Sequence, residues 1–319
     1  MPTIPVINID ALRAGKPQAV GEVAKQMLAA AEDLGFFYVA GHGVSQRILD
    51  DAEAEARAFF RQPLADKMAV EINHRHRGFL RIGEATMQGA NLPDLKESFV
   101  WGLEIDANDP SIASDNPFLG ENNWPAARPA MRKALTSYFS AVSEVGKDLL
   151  RAFAVSMNLP SDAFVTGFSR PISRGSAIFY PPQPAPQNAD AKDEEQYGVS
   201  PHTDFGCITL LYQDPIGGLE VRSRDGQWLI AEPVADTFVV NIGDLMARWT
   251  NDRFTSTPHR VRNRSSRERL SMAVFVDPDF ETVVDAAVVC GPGETPKYPP
   301  VRCGDYILGR YANSFAYRK

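Results

Sequence analysis

The sequence predicts a mainly β protein with flanking α-helices, in which a double-stranded β-helix of the jelly-roll, cupin-like kind is buttressed by N-terminal helices. Two observations support this prediction. From residue 172 onward, short runs of β-branched and aromatic residues alternate with Gly, Pro, Asp and Asn at the spacing typical of a sandwich or barrel. Before that point, apolar residues instead recur every three or four positions, as on one face of a helix.

The first half contains three helical patterns and two short strands. Gly35 ends the first helical pattern and Pro160 ends the last, because neither residue is favourable in a helix interior. Residues 63–102 and 106–129 show no sustained periodicity, so both stretches are predicted to be mostly irregular. In chain order, the regular elements are a strand at 4–9, a helix at 17–34, a strand at 36–39, and helices at 45–60 and 130–159.

The second half contains enough strand-like runs for a jelly-roll of about eight strands. Residues 185–196 are rich in Asp, Glu, Asn and Pro and lack a core pattern, so they are predicted to form a loop. A single domain is expected over residues 1–319, with a helix-rich region at 1–170, the jelly-roll core at 171–280 and a C-terminal extension at 281–319. The strand-like runs lie at 176–180, 206–212, 219–221, 228–231, 237–242, 259–262 and 269–276.

Charge and composition exclude several classes of function. A formal net charge of −7 does not provide the cationic surface that general nucleic-acid or anionic-membrane binders need. The sequence shows neither a basic, apolar leader nor a run of about 18 apolar residues, so a soluble, cytoplasmic protein is expected. Cys207, Cys290 and Cys303 are odd in number and lack CxxC spacing, which indicates neither a disulfide framework nor a thiolate zinc site. The expected partner is a small molecule, and the chain is expected to be a monomer or a homodimer that binds neither nucleic acid nor membrane.

His202, Asp204 and His259 are the strongest candidates for a functional site. In an extended strand, side chains two residues apart leave the same face, so His202 and Asp204 can point together into an interior. His259 lies in another β-like run and is the natural third ligand. Two imidazoles and one carboxylate on one face of an octahedron leave the opposite positions open, which suits Fe(II) in non-haem oxygenases.

The remaining histidines are weaker candidates. His42 lies between two glycines and is predicted to be a structural residue of a turn. His74 and His76 share a His-x-His spacing, but they lie among charged residues with no β pattern. They are predicted to be exposed loop residues, with a place in an active-site lid as the second interpretation.

A strand with one polar and one apolar face follows the third histidine. In residues 269–276, Arg269 and Ser271 share one face, while the alternate residues form an apolar face that should be packed. A buried guanidinium needs an anionic partner because an unpaired buried charge is costly. A carboxylate suits this position, since a guanidinium can bind it with two parallel hydrogen bonds while the serine hydroxyl adds a third. The alternative is a salt bridge from Arg269 to Glu268 or Asp277.

The turn signal at residues 263–268 predicts a hairpin between the His259 strand and the Arg269 strand. In that arrangement, Arg269 and Ser271 lie about 3–10 Å from the third metal ligand. A small dicarboxylate could then chelate the metal at one end and rest its other carboxylate on the Arg-x-Ser pair, as 2-oxoglutarate does.

The chain resembles the isopenicillin N synthase-like family of Fe(II)/2-oxoglutarate oxygenases over nearly its whole length. The candidate metal ligands and the Arg-x-Ser strand carry this resemblance, and together with shorter motifs they are highly specific. The shorter motifs are Ile4-Pro5-Val6-Ile7, Gly35-Phe36-Phe37-Tyr38, His42-Gly43-Val44, Pro93-Asp94-Leu95-Lys96-Glu97, Tyr180-Pro181-Pro182 and Asn241-Ile242-Gly243-Asp244.

The resemblance implies a role for each candidate residue. The two histidines and the aspartate bind Fe(II), and Arg269 and Ser271 bind the distal carboxylate of 2-oxoglutarate with a hydrogen bond from the Tyr180 hydroxyl. Phe275 matches a position that lines the substrate pocket in relatives. Many relatives carry an asparagine two residues before that tyrosine, whereas Ile178 stands here, so the full polar network of the plant enzymes is not expected.

The implied activity is oxidation of a small molecule by hydroxylation, desaturation or cyclisation, with O2 consumed and succinate and CO2 released. An alternative keeps the fold and the iron but not 2-oxoglutarate: in isopenicillin N synthase itself and in ethylene-forming oxidases, an equivalent Arg-x-Ser pair holds another carboxylate. A remote alternative is a non-catalytic jelly-roll module with a structural zinc, although such zinc sites usually have four protein ligands. Loops at 77–91 and 182–199 are predicted to be lids, and the sequence does not identify the substrate.

Overall fold

The computed structural model describes residues 3–15, 17–84, 92–106, 108–109, 116–183 and 196–314. In this part of the chain, eight strands form one sheet, four form a second, and a further pair of short strands lies apart. Helices pack against the larger sheet. This architecture confirms the predicted mainly β fold with flanking helices. No helix of the described part combines the length and the apolar character needed to cross a membrane.

The helices and strands have the following bounds. The helices are α1 (Asp10–Arg13), α2 (Pro17–Asp33), α3 (Gln46–Phe60), α4 (Leu64–Met68), α5 (Pro129–Ser156), α6 (Asp244–Trp249) and α7 (Cys303–Ser314). The strands are β1 (Val6–Asn8), β2 (Phe36–Ala40), β3 (Gly78–Leu80), β4 (Glu97–Gly102), β5 (Arg174–Tyr180), β6 (Val199–His202), β7 (Ile208–Gln213), β8 (Leu219–Arg222), β9 (Trp228–Ile230), β10 (Thr237–Ile242), β11 (His259–Val261), β12 (Arg269–Val276), β13 (Val283–Val284) and β14 (Val301–Arg302).

The order of the strands brings distant parts of the chain together. The larger sheet has the order β1-β2-β10-β7-β12-β5-β4-β3, and the smaller sheet has the order β6-β11-β8-β9. Phe36 of β2 lies opposite Asn241 of β10, so strands about 200 residues apart in the sequence are neighbours. Residues of both sheets line one cleft, and the site described below lies in it.

The outer face of β12 packs on α5. Leu270, Met272 and Val274 are fully buried, and the Met272 carbonyl accepts a hydrogen bond from the Tyr138 hydroxyl at 2.8 Å. The alternate residues of β12 line the cleft instead. The two faces predicted for this strand are therefore confirmed.

The predicted hairpin between the His259 and Arg269 strands is wrong. β11 pairs with β6 and β8 in the smaller sheet, whereas β12 pairs with β5 and β7 in the larger sheet. The connection at 262–268 crosses between the sheets, and the Asn263 side chain holds it by donating to the carbonyls of Pro181 and Arg267. The irregular stretch predicted at 63–102 also omitted α4, β3 and β4, which are too short to show a period of their own.

Gly146 and Gly21 offer a matched test of how closely α5 packs on the sheet. A Cβ atom added at Gly146 would lie 2.6 Å from Cγ2 of Val276, whereas one added at Gly21 in α2 would have no atom within 4 Å. Because alanine favours a helix over glycine by about 1 kcal/mol, we expect Gly21→Ala to raise the free energy of unfolding by up to that amount. We expect Gly146→Ala to lower it by about 1–2 kcal/mol, since overpacking outweighs the helix gain. Chemical denaturation measures both changes, and a stabilised Gly146→Ala would contradict the close packing.

Candidate active site

The cleft between the two sheets contains every residue that the sequence predicted for the site. It encloses about 1050 Å³ of empty space, including its mouth. The larger sheet contributes the inner faces of β12, β5, β4 and β7, and the smaller sheet contributes β6 and β11. The predicted residues that line it are Tyr180, His202, Asp204, His259, Arg269, Ser271 and Phe275.

His202, Asp204 and His259 converge on one point in this cleft. His259 at the start of β11 lies directly opposite His202 at the end of β6, and Asp204 follows two residues after β6 ends. The Nε2 atoms of both histidines lie 3.8 Å from Oδ1 of Asp204. One ligand atom from each residue lies within 4.8 Å of the others, which is the spacing of groups that can share a metal ion.

Backbone carbonyls orient both imidazoles. Nδ1 of His202 lies 2.8 Å from the Ser200 carbonyl, and Nδ1 of His259 lies 3.1 Å from the Thr257 carbonyl. A carbonyl can only accept, so each Nδ1 carries the proton and each Nε2 lone pair faces the cluster. Burial, and then the neighbouring His259 ring, lower the pKa of His202 to about 3. The His202 imidazole is therefore neutral at neutral pH, as a metal ligand must be.

Two side chains fix the carboxylate of Asp204. Its Oδ2 accepts hydrogen bonds from the Thr209 hydroxyl at 2.5 Å and from Nδ2 of Asn241 at 2.8 Å, which leaves Oδ1 facing the imidazoles. Burial by itself would raise the pKa of Asp204, but the two imidazoles and these two hydrogen bonds outweigh it and lower the pKa. The carboxylate is therefore charged and points its free oxygen at the cluster.

We expect Asn241→Ala to weaken Fe(II) binding by about 10- to 100-fold, the usual effect of removing a group that holds a metal ligand in place. The reason is that Oδ2 of Asp204 loses one of its two donors and the carboxylate can rotate. Anaerobic titration with Fe(II) measures the affinity. Asn251→Ala is the matched control, because Asn251 is also buried but bonds to Glu294, outside the cleft. Equal iron affinity in the Asn241→Ala variant and the unsubstituted protein would show that Thr209 alone orients Asp204.

Arg269 and Ser271 lie on the inner face of β12, and both are fully buried. Nη1 of Arg269 donates to the Ser271 hydroxyl at 3.1 Å, and its Nε donates to the Gly217 carbonyl. Tyr180 pairs with Arg269 across the strands, and the guanidinium lies 4.6 Å from the centre of its ring.

Within the described residues, no carboxylate forms an ion pair with Arg269. The alternative partners predicted from the sequence are engaged elsewhere: Glu268 pairs with Arg57 and Arg61, and Asp277 pairs with Arg174. A buried guanidinium that lacks a protein carboxylate is suited to binding an anion, because burial of an uncompensated charge is costly.

Known proteins resemble this protein over nearly the whole chain. The protein is 34% identical over 329 residues to the 2-oxoglutarate-Fe(II) type oxidoreductase hxnY of Emericella nidulans, covering 99% of this chain and 92% of that relative. The chain belongs to the 2-oxoglutarate/Fe(II) oxygenase family. Residues 172–278 match the 2OG-Fe(II) oxygenase superfamily, and residues 4–127 match the family described as non-haem dioxygenase in morphine synthesis N-terminal.

Two further relatives agree with this assignment. Homoarginine-6-hydroxylase 2-ODD-233 of Oryza sativa is 31% identical over 329 residues, which cover 98% of this chain and 97% of the relative. A full-length Neurospora crassa protein, solved in complex with alpha-KG and thymine, has a TM-score of 0.84 and 26% identity, covering 97% of this chain and 96% of the other.

The activity predicted from the sequence is thereby confirmed. The protein is an Fe(II)- and 2-oxoglutarate-dependent dioxygenase that oxidises a small molecule with O2 and releases succinate and CO2. The jelly-roll core follows from the same relatives. Neither the alternative without 2-oxoglutarate nor the non-catalytic zinc module receives support from them.

The other three histidines of the oxygenase, His42, His74 and His76, differ in how deeply they are buried. His42 is buried in its turn, where its Nδ1 accepts a hydrogen bond from the Val44 amide at 3.1 Å and burial lowers its pKa, as suits a structural residue. His74 is exposed, as predicted. The prediction of an exposed loop residue is wrong for His76, which is 4% exposed and lines the cleft.

The backbone around His76 explains this placement. Its φ angle is +60°, which is an uncommon value for a residue other than glycine. Arg77, itself 1% exposed, donates to the carbonyls of His76 at 3.1 Å and Phe118 at 2.6 Å. The His76 ring packs against Tyr311 of α7, with 4.7 Å between the ring centres. No periodic pattern could have predicted a turn that is held by contacts with such distant segments.

The Pro93-Asp94-Leu95-Lys96-Glu97 motif supports the strand that carries His202. Asp94 is buried, and its Oδ1 accepts a hydrogen bond from the Ser200 amide at 2.8 Å. Nζ of Lys96 lies 3.5 Å from the other oxygen of Asp94 and lines the cleft. Parts of the predicted lids, residues 85–91 and 184–195, lie outside the described residues.

Proposed function

We propose that His202, Asp204 and His259 bind the Fe(II) of this oxygenase, and that Arg269, Ser271 and Tyr180 bind the distal carboxylate of 2-oxoglutarate. The observation that carries the second assignment is the fully buried Arg269 guanidinium, which has no carboxylate partner among the described residues. 2-Oxoglutarate supplies that partner. Its other end would face the metal ligands, which line the same cleft.

The side chains of His202, Asp204 and His259 are suited to binding Fe(II). Two neutral imidazoles and a carboxylate are the donor set of non-haem Fe(II) oxygenases, and three protein ligands leave coordination positions for the co-substrates. When bound, Fe(II) and 2-oxoglutarate would supply electrons that reduce O2, and 2-oxoglutarate would be oxidised to succinate and CO2.

The protein's own side chains position the proposed metal ligand and the anion-binding arginine, and they exclude water from the site. Asn241 and Thr209 keep one oxygen of Asp204 aimed at the histidines. Ser271 holds the guanidinium of Arg269 in the plane that a carboxylate can meet with two hydrogen bonds. Apolar side chains around these groups keep water from the reacting atoms; those lining the cleft include Phe36, Ile178, Val199, Leu211, Leu219 and Val261.

Phe275 is proposed to line the substrate pocket. It faces the cleft six residues along β12 from Arg269, beyond the proposed position of 2-oxoglutarate. The relatives, one a homoarginine hydroxylase and another solved with thymine, support a small-molecule substrate of a size that this cleft can enclose. The outcome is one of hydroxylation, desaturation or cyclisation.

The proposal also covers the domain organisation, compartment, oligomeric state and partners of the enzyme. We propose one oxygenase domain over residues 1–319, acting in the cytoplasm as a monomer or a homodimer, without nucleic-acid or membrane partners. Free thiols at all three cysteines support a reducing compartment. The net charge of −7 supports the absence of nucleic-acid partners.

Anaerobic visible absorption tests the proposal. The apo-protein is titrated first with Fe(II) and then with 2-oxoglutarate, and we expect a metal-to-ligand charge-transfer band that requires both additions. Iron binding without such a band would contradict the assignment of 2-oxoglutarate to Arg269 and Ser271. Failure to bind iron would contradict the assignment of the three metal ligands.

A further inference from the structure

A second buried arginine, Arg174, lies at the end of the cleft opposite Arg269. It is the first residue of β5, 6% exposed, and it lines the cleft. Tyr180 of β5 pairs with Arg269 of β12, and Arg174 of the same strand pairs with Phe275. Six residues of strand therefore separate the two arginines, a distance of roughly 20 Å between their backbones. The proposed 2-oxoglutarate site occupies only the Arg269 end.

The Arg174 end is close to the metal ligands. Phe275 pairs with Arg174 on one side and with Thr209 on the other, so Arg174 and Thr209 lie on strands about 10 Å apart. The Thr209 hydroxyl bonds to Asp204. A molecule held by the Arg174 side chain would therefore extend towards the metal cluster.

The guanidinium of Arg174 is held from behind by a fully buried carboxylate. Its Nη1 donates to Oδ2 of Asp277 at 3.2 Å, and Oδ1 of Asp277 accepts a hydrogen bond from the Cys207 amide at 2.8 Å. Phe275 and Tyr311 lie against the guanidinium, with their ring centres 4.3 Å and 5.1 Å from it. The ion pair and the two rings together restrict the direction of the Arg174 side chain.

The other donors of Arg174 remain available to a ligand. A guanidinium has five N–H groups, and among the described residues Arg174 makes a hydrogen bond only to Asp277. The buried hydroxyl of Ser176, two residues along β5, lines the cleft next to it and bonds to no described side chain. This end of the cleft thus offers a charged, planar donor next to a hydroxyl, with the apolar side chain of Val100, opposite Ser176, nearby.

We infer that the substrate of this oxygenase carries a carboxylate, which Arg174 binds at the end of the cleft opposite 2-oxoglutarate. A carboxylate is the anion that matches the planar edge of a guanidinium with two parallel hydrogen bonds. The body of the substrate lies along Phe275 and Val100, and the carbon to be oxidised faces the metal cluster. This inference rests on the proposed function, because it requires 2-oxoglutarate to occupy the Arg269 end.

The test compares acids with amides of the same shape. The probes are benzoate and benzamide, phenylacetate and phenylacetamide, and cyclohexanecarboxylate and cyclohexanecarboxamide. Each is titrated calorimetrically into the anaerobic protein saturated with Fe(II) and 2-oxoglutarate, so that binding is measured without turnover. We expect at least one acid to bind roughly tenfold or more tightly than its amide, since a charged acceptor strengthens the hydrogen bonds.

Three variants assign this preference to Arg174. We expect Arg174→Gln to weaken binding of the acid by about 10- to 100-fold and to leave the amide nearly unchanged. Because that change leaves Asp277 buried without its partner, the double variant Arg174→Gln, Asp277→Asn removes both charges and should show the same loss. Arg128→Gln breaks another partly buried ion pair, with Glu55 at 2.7 Å outside the cleft, and should leave the preference intact.

The charge-transfer band, recorded on every preparation, separates the two possible failures. An unsubstituted protein without the band would overturn the proposed function and this inference with it. A protein that has the band but binds amides as well as acids, or binds none of the acids in the millimolar range, would overturn the inference alone. A preference for acids that survives in both Arg174 variants would also overturn it.

Discussion

Asp204→Ala is expected to abolish iron-dependent turnover. The substitution removes the anionic member of the proposed metal site and leaves only the two imidazoles. The affinity for Fe(II) should therefore fall by more than the roughly 100-fold that is the upper range for groups that only support a metal ligand. Iron content after dialysis and succinate production from 2-oxoglutarate measure the two consequences separately.

Asp204→Asn and Asp279→Ala are the comparisons for this result. Asparagine keeps the shape and one oxygen but not the charge, so we expect an iron affinity between those of the alanine variant and the unsubstituted protein. Asp279 is a carboxylate outside the cleft that accepts hydrogen bonds from the Ser169 hydroxyl and the Arg170 amide, and its loss should lower stability without releasing iron. Near-normal turnover in Asp204→Ala would remove Asp204 from the metal site.

Arg269→Ala is expected to raise the concentration of 2-oxoglutarate needed for half-maximal turnover by roughly 30-fold or more. Truncating one partner of a buried, hydrogen-bonded charge pair costs about 2–5 kcal/mol, and each 1.4 kcal/mol corresponds to about a tenfold change in affinity. Turnover at saturating 2-oxoglutarate should fall much less, since the metal ligands are intact. Steady-state kinetics with varied 2-oxoglutarate measure both quantities.

Two variants with smaller expected effects test the same 2-oxoglutarate site. Ser271→Ala removes one hydrogen bond, worth about 1 kcal/mol, and should raise the requirement about fivefold. Arg269→Lys keeps the charge but loses the paired N–H groups, so we expect a requirement between those of Ser271→Ala and Arg269→Ala. An unchanged requirement in Arg269→Ala would point to another anchor for the distal carboxylate.

The parts of the site that follow strand alternation could be predicted from the sequence. In β12, alternate residues are apolar, and this alternation alone is enough to place Arg269 and Ser271 together on the inner face. The same reasoning would have found Arg174, which alternates with Ser176 on β5, had the predicted strand begun at 174 instead of 176. The pattern was therefore sufficient, and only the boundary of the strand was wrong.

Other features depend on contacts that no local pattern encodes. His76 reaches the cleft because Arg77 and Tyr311 hold its turn, and the contact with Tyr311 joins segments more than 200 residues apart. The predicted hairpin failed because residues 263–268 have the composition of a tight turn, yet they connect strands of different sheets. Which sheet a strand joins is decided by its pairing partners, and a single sequence does not reveal them.

The pairing of β2 with β10 has a consequence for how the enzyme is made. Phe36 and its neighbours are synthesised about 200 residues before the strand that they pair with. At 5–20 residues per second this interval lasts about 10–40 s, during which the aromatic strand β2 can pair with β1 but has no strand at its other edge. Synthesis of this oxygenase thus includes a period of exposure to aggregation, and the yield of folded enzyme should rise when translation is slowed by cooling or when chaperones are abundant.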